Sequence, residues 1–496
     1  MSISSFVNPI NDYHVNKELI SRYRYVRVAL NNVSGNAIQF QPSSNSLMEF
    51  RLPASSCINL SRSYVAYSLP IPASAAAGAG GNAQQYTIAA ECGVDFSSVQ
   101  FTPGSGLDLV NVNYVNKYVS LINPYKSHIA DDYLSNCNDQ LSKFYCSKQS
   151  SVTNLNVCSF DGLTTLPGVY QDPSPFFGRQ NITITPQPNT GITLNRQISL
   201  SVFKSTMLSN DKDLWFPCDM YLRFQTAPLS QIAVYNSLAQ APGNLATQSL
   251  INQTCTTTSC YLYLAVQENV NIRESLIRMI SSRPMSIPIP WLYLYRTSQS
   301  NSTSQLNANV ILTKSFGRQL TSIQTSVWNV NEYSLLCFDS SNFQGNKLNS
   351  YTTSLDGRQL QDLQLSVWNP NAGYNVLIWP SAPADGGAGD WRQNRDFIAG
   401  SAITSYAEYM KSWMHYDNFG VMPFKLEDAS CEAFVGEASA LPLDMAGDHV
   451  WSLIGTCTGT NSSVNIATNS AGSITIVACV FNRTLTISAD GVTLSN

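Results

Sequence analysis

The sequence predicts an all-β chain folded as two tandem β-sandwiches, on three observations. Short segments of alternating polarity recur along the chain, clusters of Gly, Pro, Asn and Ser punctuate them, and the pattern runs once on each side of a small-residue stretch at 227–258. A length of 496 residues suits two to four domains at ~100–200 residues each. A hydrophobic content of 44% is enough for a core in each of them.

Residues 1–20 are polar and without period, and read as an N-terminal arm. From Tyr23 the chain alternates: Tyr23, Tyr25, Arg27 and Ala29 face one way, and Arg24, Val26, Val28 and Leu30 the other. A turn at 31–36 ends this strand and 37–40 resumes it. Strands at 48–52, 64–69, 182–186, 198–203 and 220–224 complete a first sandwich over residues 21–226. Pro228, Pro242 and Gly243 among small polar residues mark 227–258 as an inter-domain linker. Residues 259–496 form the second sandwich, with strands at 261–266, 291–295, 308–313, 334–338, 374–378, 433–436, 450–454, 474–481 and 485–487.

Helices are few. Ile403, Tyr406, Ala407, Met410, Trp413 and Met414 make one apolar stripe at helical spacing over 401–416. Ile272, Leu276, Met279 and Ile280 do the same over 272–280, with Pro284 beyond the end. Leu107, Val110, Tyr114, Tyr118 and Leu121 fit a helix over 107–121, where the Asn-Val-Asn alternation also permits a strand. Residues 72–82 are a loop of small residues. The segment GRQLTSIQTSVWN at 317–329 returns as GRQLQDLQLSVWN at 357–369. A period of that size suits a propeller blade of ~40–45 residues, but two copies do not close a propeller. The reading preferred is a pair of similar strand-turn segments within one sandwich.

Composition removes several functions. Charged residues are 12% of the chain, about half the usual ~25%, and the net charge is −4. Without clustered Lys and Arg there is no electrostatic footprint for nucleic acid, so no direct sequence-specific nucleic-acid binding is expected. Apolar runs such as 476–481 and 287–295 fall short of the ~20 residues of a spanning helix. The N-terminus shows neither the basic nor the apolar region of a secretory signal. The twelve cysteines, none in a CxxC pair, are therefore expected as buried free thiols. The matches to the glycosylation pattern at Asn32, Asn181, Asn252, Asn301, Asn461 and Asn482 are expected to be fortuitous.

Raw material for catalysis is thin. Of the four histidines, His14 lies in the arm, His128 has no companion, and His415 ends the 401–416 helix, where a cation meets the helix dipole. Asp444, Asp448 and His449 form the most suggestive cluster, yet no nucleophile motif accompanies them, and neighbours on a strand point to opposite faces. Asp385 and Asp390 give a glycine-rich loop two carboxylates, where calcium takes about 6–8 oxygen ligands. Asp211 and Asp213 read as a charged turn. Gly104 and Gly106 lack the lysine and the strand–helix context of a phosphate loop. No catalytic, cofactor-binding or metal-binding residue is assigned, and the chain is read as a non-enzyme without cofactors.

The layout resembles the double jelly-roll major capsid proteins of the adenovirus-like lineage, found in large eukaryotic DNA viruses, virophages, Polinton-like viruses and several tailless phages. Two segments carry the resemblance. FKSTMLSNDKDLWFPCDMYLRF at 203–224 is similar to the close of a first jelly roll, and YTTSLDGRQLQDLQL at 351–365 to a loop and strand of the second. The resemblance spans roughly residues 20–496. It implies two eight-stranded jelly rolls side by side, three copies forming a pseudo-hexameric capsomer, and capsomers tiling an icosahedral shell. The implied partners are other copies of the chain, then penton and minor capsid proteins, with the arm contacting neighbours or an internal membrane. The implied location is the virion, assembled inside the host cell and not secreted. Residues 72–82 and 156–188 are the candidate tower loops.

A sparsely charged surface suits repeated contacts, since a charge buried without a partner is costly. The 24 Tyr and 8 Trp offer contact area with a polar tip, although most are expected in the cores. Lys17, Arg22, Arg24 and Arg27 place positive charge on the arm and first strand, where a solvated basic face is the default reading. The alternative function is a glycan- or receptor-binding β-sandwich, which would present an aromatic platform. An enzyme on a jelly-roll scaffold stands third.

Overall fold

The computed structural model describes residues 22–73, 85–88, 92–104, 106–119, 182–184, 191–236, 248–299, 305–313, 319–329, 348–359, 365–366, 421–425, 441–442, 448–457 and 473–495. The expected arm, the helix over 401–416, and the strands at 334–338, 374–378 and 433–436 lie outside them.

Every pairing between the described strands is antiparallel, and the same topology occurs twice. In the first sandwich one sheet runs Tyr23–Ala29, Ser259–Gln267, Cys57–Ile71, with Ile192–Ser199 and Asp213–Trp215 sharing the far edge of Cys57–Ile71. Its partner sheet runs Leu47–Leu52, Met220–Thr226, Phe96–Pro103, Val110–Asn113. Counted in chain order, the strand positions are first–eighth–third–sixth and second–seventh–fourth–fifth. The second sandwich repeats both orders. Its first sheet is Met285–Gln299, Ser473–Ser488, Gln319–Asn329, then Val421–Lys425 with Leu441–Pro442. Its second sheet is Gln305–Leu312, His449–Cys457, Leu348–Leu355, then Arg358–Gln359 and Leu365–Ser366. Two sheets of four positions in this order are a jelly roll. The chain is a double jelly roll.

That topology moves the expected boundary. Ser259–Gln267, read from sequence as the opening of the second sandwich, is the eighth strand of the first, hydrogen-bonded between Tyr23–Ala29 and Cys57–Ile71. The expected linker at 227–258 holds three strands of its own. Ala233–Asn236 and Gln248–Leu250 join Gln85–Ile88 and Ile182–Ile184 in a sheet built from three connections of the first sandwich. Cys255–Thr256 pairs with Gln39–Phe40. The physical reason is that an eighth strand closes a sheet opened more than 230 residues earlier, and local composition carries no trace of so distant a partner.

The link between sandwiches is the helix Val270–Ser282. Asn269 caps it, its Oδ1 accepting from the N–H groups of Asn271 and Ile272 at 3.0 and 3.5 Å. Ile272, Leu276 and Ile280 form the buried stripe. The 107–121 segment divides: Val110–Asn113 is a strand, Tyr114 takes a left-handed conformation (φ 59°), and Val115–Lys117 is a single helical turn. The strand expected at 198–203 ends at Ser199, whose hydroxyl accepts from the Ser201 N–H and turns the chain into a 3-10 turn. The two strands expected at 474–481 and 485–487 are one, Ser473–Ser488. The repeated segments at 317–329 and 357–369 place their described parts in the two facing sheets of the second sandwich.

Burial explains the continuous apolar run in that last strand. On one face Val477, Cys479 and Phe481 meet Trp291, Val310, Leu312, Trp451 and Leu453 inside the second sandwich. On the other, Ile474, Ile476, Ala478 and Val480 join Leu292 and Leu294 in a core continuous with the first sandwich. A strand covered on both faces loses its polar alternation. The Met285–Gln299 strand lies against Val110–Asn113 and the Met207–Ser209 turn, and Arg296 stands over the Tyr114 ring at 5.8 Å. At ~1.5–3 kcal/mol per buried aliphatic side chain, this shared face binds the sandwiches as one body.

Candidate functional site

The sequence-singled residues are dispersed. His14, His128, His415, Asp385, Asp390 and Asp444 lie outside the described residues. His449 begins the seventh strand of the second sandwich and pairs with an acid that the sequence did not single out, Asp356. Its Nδ1 sits 2.5 Å from Oδ2 of Asp356, from the turn after Leu348–Leu355, and Oδ1 of Asp356 accepts from the Val450 N–H at 2.8 Å. These bonds hold the Asp356 carboxyl below the ordinary carboxylate range. The pair closes a strand end. Among the described residues no group of three or more His, Cys, Asp or Glu is arranged to hold a metal ion.

The expected charged turn at Asp211–Asp213 is half right. Asp211 is on the surface beside Arg62, with Nε to Oδ1 at 3.1 Å. Asp213 is buried and begins a strand. Its carboxylate accepts from Tyr23 Oη at 2.8 Å, Gln267 Nε2 at 2.8 Å and Asn59 Nδ2 at 3.2 Å. One side chain therefore ties the first, third, sixth and eighth positions of one sheet. A second buried group joins Arg196 and Asp95, Nε to Oδ2 at 3.1 Å, with Tyr67 donating to the same carboxylate. Both are scaffold features: the first ties strands of one sheet together, and the second ties two strands of that sheet to the Cys92–Asp95 turn that precedes Phe96–Pro103.

Cys57, Cys255, Cys260 and Cys479 are buried free thiols. Burial pushes Cys57 and Cys260 up to about 12 and Cys255 up to about 11, so these thiols stay protonated and inert near neutral pH. Gly104 and Gly106 turn the chain after Phe96–Pro103, Gly106 with φ 84°. Asn482 is buried, which excludes it as a glycan acceptor in the folded chain.

What the structure does bring together is a set of aromatic and basic side chains on the outward face of the first sandwich's first–eighth–third–sixth sheet. Tyr64 and Tyr263, opposite each other across the third and eighth strands, stack with centroids 4.9 Å apart and planes at 13°. Tyr25 tilts onto Tyr64 at 5.5 Å, and the Arg27 guanidinium lies 4.6 Å from the Tyr261 centroid. Tyr25 is 50% exposed, and Arg27 is exposed beside it. Arg22 and Arg24 flank the strand, each within 4 Å of Glu268 at the surface. Tyr261 and Tyr263 fall one per alternate position on the eighth strand, so the sequence pattern held their common face; it was their assignment to the wrong sandwich that hid the platform.

The fold and this face define a double jelly roll whose first sandwich carries a tyrosine-rich outward sheet face. Comparison with solved structures gives the same fold over nearly the whole chain. A chain of the Sputnik virophage, solved by cryo-EM at 3.5 Å, is similar with TM-score 0.52 and 13% identity, over 97% of this chain and 91% of that one. PBCV-1 VP54 (TM-score 0.48, 10% identity, covering 96% and 97%) and the mavirus major capsid protein (0.46, 9%, 93% and 90%) are also similar. No protein-family model matches the sequence, and no curated protein matches it.

Proposed function

We propose that the chain is a major capsid protein, a structural subunit that trimerises into pseudo-hexameric capsomers and tiles an icosahedral shell in a virion. The observation that carries the reading is the repetition of one jelly-roll topology in two sandwiches that share an apolar seam, on a chain similar end to end to one from a virophage. Two equivalent sandwiches per copy let three copies present six near-equivalent units around an axis. In this reading the chain is not an enzyme, and assembly takes place inside the host cell. Penton and minor capsid proteins are its further partners. The sheet formed by Gln85–Ile88, Ile182–Ile184, Ala233–Asn236 and Gln248–Leu250 supports a tower built from the connections of the first sandwich.

Light scattering on the purified chain, with negative-stain images of the same sample, tests the reading. Three copies of a 54.4 kDa chain give a particle of ~163 kDa with a hexagonal outline. A stable monomer at every concentration counts against it. Residues 1–20 act in this reading as an arm between capsomers, so their deletion is expected to leave the trimer intact and impair shell formation. Loss of the trimer in that deletion contradicts the arm.

A further inference from the structure

Two arginines of the first sandwich share one arrangement. Arg62 lies 5.1 Å from the Tyr23 ring centroid, and its Nε donates to Oδ1 of Asp211 at 3.1 Å. Arg223 lies 5.4 Å from the Tyr221 centroid, and its Nε donates to Oε2 of Glu49 at 2.6 Å. In each, one face of the guanidinium rests on a ring while its edge holds a carboxylate.

In the second sandwich Arg483 repeats the first half of this arrangement. Trp291 stands opposite Phe481 and Ile289 opposite Arg483, so Trp291 and Arg483 are diagonal neighbours on paired strands. The guanidinium lies 4.5 Å from the Trp291 centroid. Its Nε, the atom that holds the carboxylate at Arg62 and Arg223, is buried and meets no acceptor among the described residues. The same is true of the indole Nε1 of Trp291, a residue only 7% exposed. Burial holds the Arg483 guanidinium below the ordinary arginine range. Arg27 also lies on a ring, that of Tyr261 at 4.6 Å, but it is exposed and water serves its donors.

We propose that the Arg483–Trp291 pair is a binding site for a carboxylate, the member that would complete the arrangement seen at Arg62 and Arg223. Three points select that ligand. A carboxylate has two oxygens, which suffices for one donor on each of the two touching side chains. Its single charge neutralises one guanidinium, whereas a phosphate near −2 leaves an uncompensated charge beside Phe481 and Trp291. A neutral amide leaves the cation itself uncompensated. Arg483 is half-buried, so its side chain reaches the surface and gives the ligand a way in. The carboxylate has two sources, an acidic side chain of a partner protein or a free carboxylic acid. The site lies within one chain and does not depend on the capsid reading.

The full chain labelled with 5-fluorotryptophan tests the site, with the Trp291 fluorine resonance assigned by its loss in Trp291→Phe. Sodium acetate, a capped tripeptide carrying one glutamate, and inorganic phosphate are titrated separately, with chloride holding the ionic strength constant. Acetate and the tripeptide are each expected to shift the Trp291 resonance saturably, because the indole N–H gains an acceptor. In Arg483→Met the midpoint is expected to rise at least ~10-fold. Arg483→Lys keeps the charge and loses the planar fork; it is expected to weaken binding severalfold and serves where the methionine variant does not fold. A tripeptide that binds ~10-fold tighter than acetate supports the site and assigns it to a protein side chain, and similar affinities support it and assign it to a free acid. A resonance that no carboxylate shifts, one that responds to phosphate alone, or a midpoint unchanged in the folded Arg483 variants overturns the proposal.

Discussion

The two sandwiches share a strand order and differ in where each keeps its polar groups. In the first, charge lies inside and out. Asp95, Arg196, Lys117 and Asp213 are buried, and the outward face of its second–seventh–fourth–fifth sheet carries Arg223 on Glu49 at 2.6 Å and Arg51 on Asp219. In the second, no charged residue is buried among the described residues; its interior is Trp291, Trp451, Phe481 and aliphatics. The outward face of its corresponding sheet shows Ile311, Val450 and Ile454, each more than 40% exposed. One topology thus supports a polar, self-sufficient unit and an apolar one that relies on cover. Topology sets which residues face outward; composition sets what those faces can meet.

The sharpest way to break this comparison is to put one charge on each of the two equivalent sheet faces. Ile476→Asp sets a carboxylate in the dry seam between sandwiches and is expected to remove more than ~4 kcal/mol, enough to abolish soluble folded chain. Tyr64→Ala, on the open face, is expected to cost only ~1 kcal/mol of stability, the worth of its stacking. Denaturant midpoints measure both, and equal losses would mean that the first face is covered too.

Next in size is the buried pair of the first sandwich. Arg196→Met removes the guanidinium 3.1 Å from the Asp95 carboxylate and is expected to cost about 3–5 kcal/mol by chemical denaturation. A loss under ~1 kcal/mol would place the pair in contact with water. The smallest effect belongs to Asp356 of the second sandwich. Its carboxyl is held below its ordinary value by His449 and the Val450 N–H, so its contribution is present above about pH 4 and is lost as pH falls through the depressed value. At this half-exposed site the contribution is under ~1 kcal/mol. The stability gap between the chain and Asp356→Asn is expected to close as pH falls below that point; a gap constant from pH 7 to pH 3 would mean that Asp356 contributes nothing as an anion.

Local pattern made most strands legible. The alternation at Tyr23–Ala29, the run at Met220–Thr226 and the stripe of Ile272, Leu276 and Ile280 are periodicities that a single segment carries within itself. The resemblance supplied the double jelly roll. What failed was whatever depends on a distant partner. Ser259–Gln267 alternates cleanly, but nothing in it says that Cys57–Ile71 and Tyr23–Ala29 wait on either side. Ser473–Ser488 looked broken at Asn482-Arg483-Thr484, because sequence does not reveal that the Arg483 guanidinium lies 4.5 Å from the Trp291 ring centroid and carries the strand through. Asp213 read as a turn residue because its three donors come from three other strands. The tyrosine platform was hidden for the same reason: its members come from three strands, and only pairing sets them on one face.

The placement of Ser259–Gln267 also governs how the chain is made. Tyr23 pairs with Gln267 and Ile58 with Val266, so the first strand stands with a bare edge until some 240 further residues have been made, and the third until some 200 have been. At ~5–20 residues per second, that is a wait of about 10–50 seconds with unpaired, Tyr- and Val-rich edges in the crowded space outside the exit tunnel. Strand edges in that condition pair with whatever nascent chain is nearest. Polysomes hold other copies of the same chain closest of all, so cotranslational capture by a holding chaperone is expected to raise its folding yield.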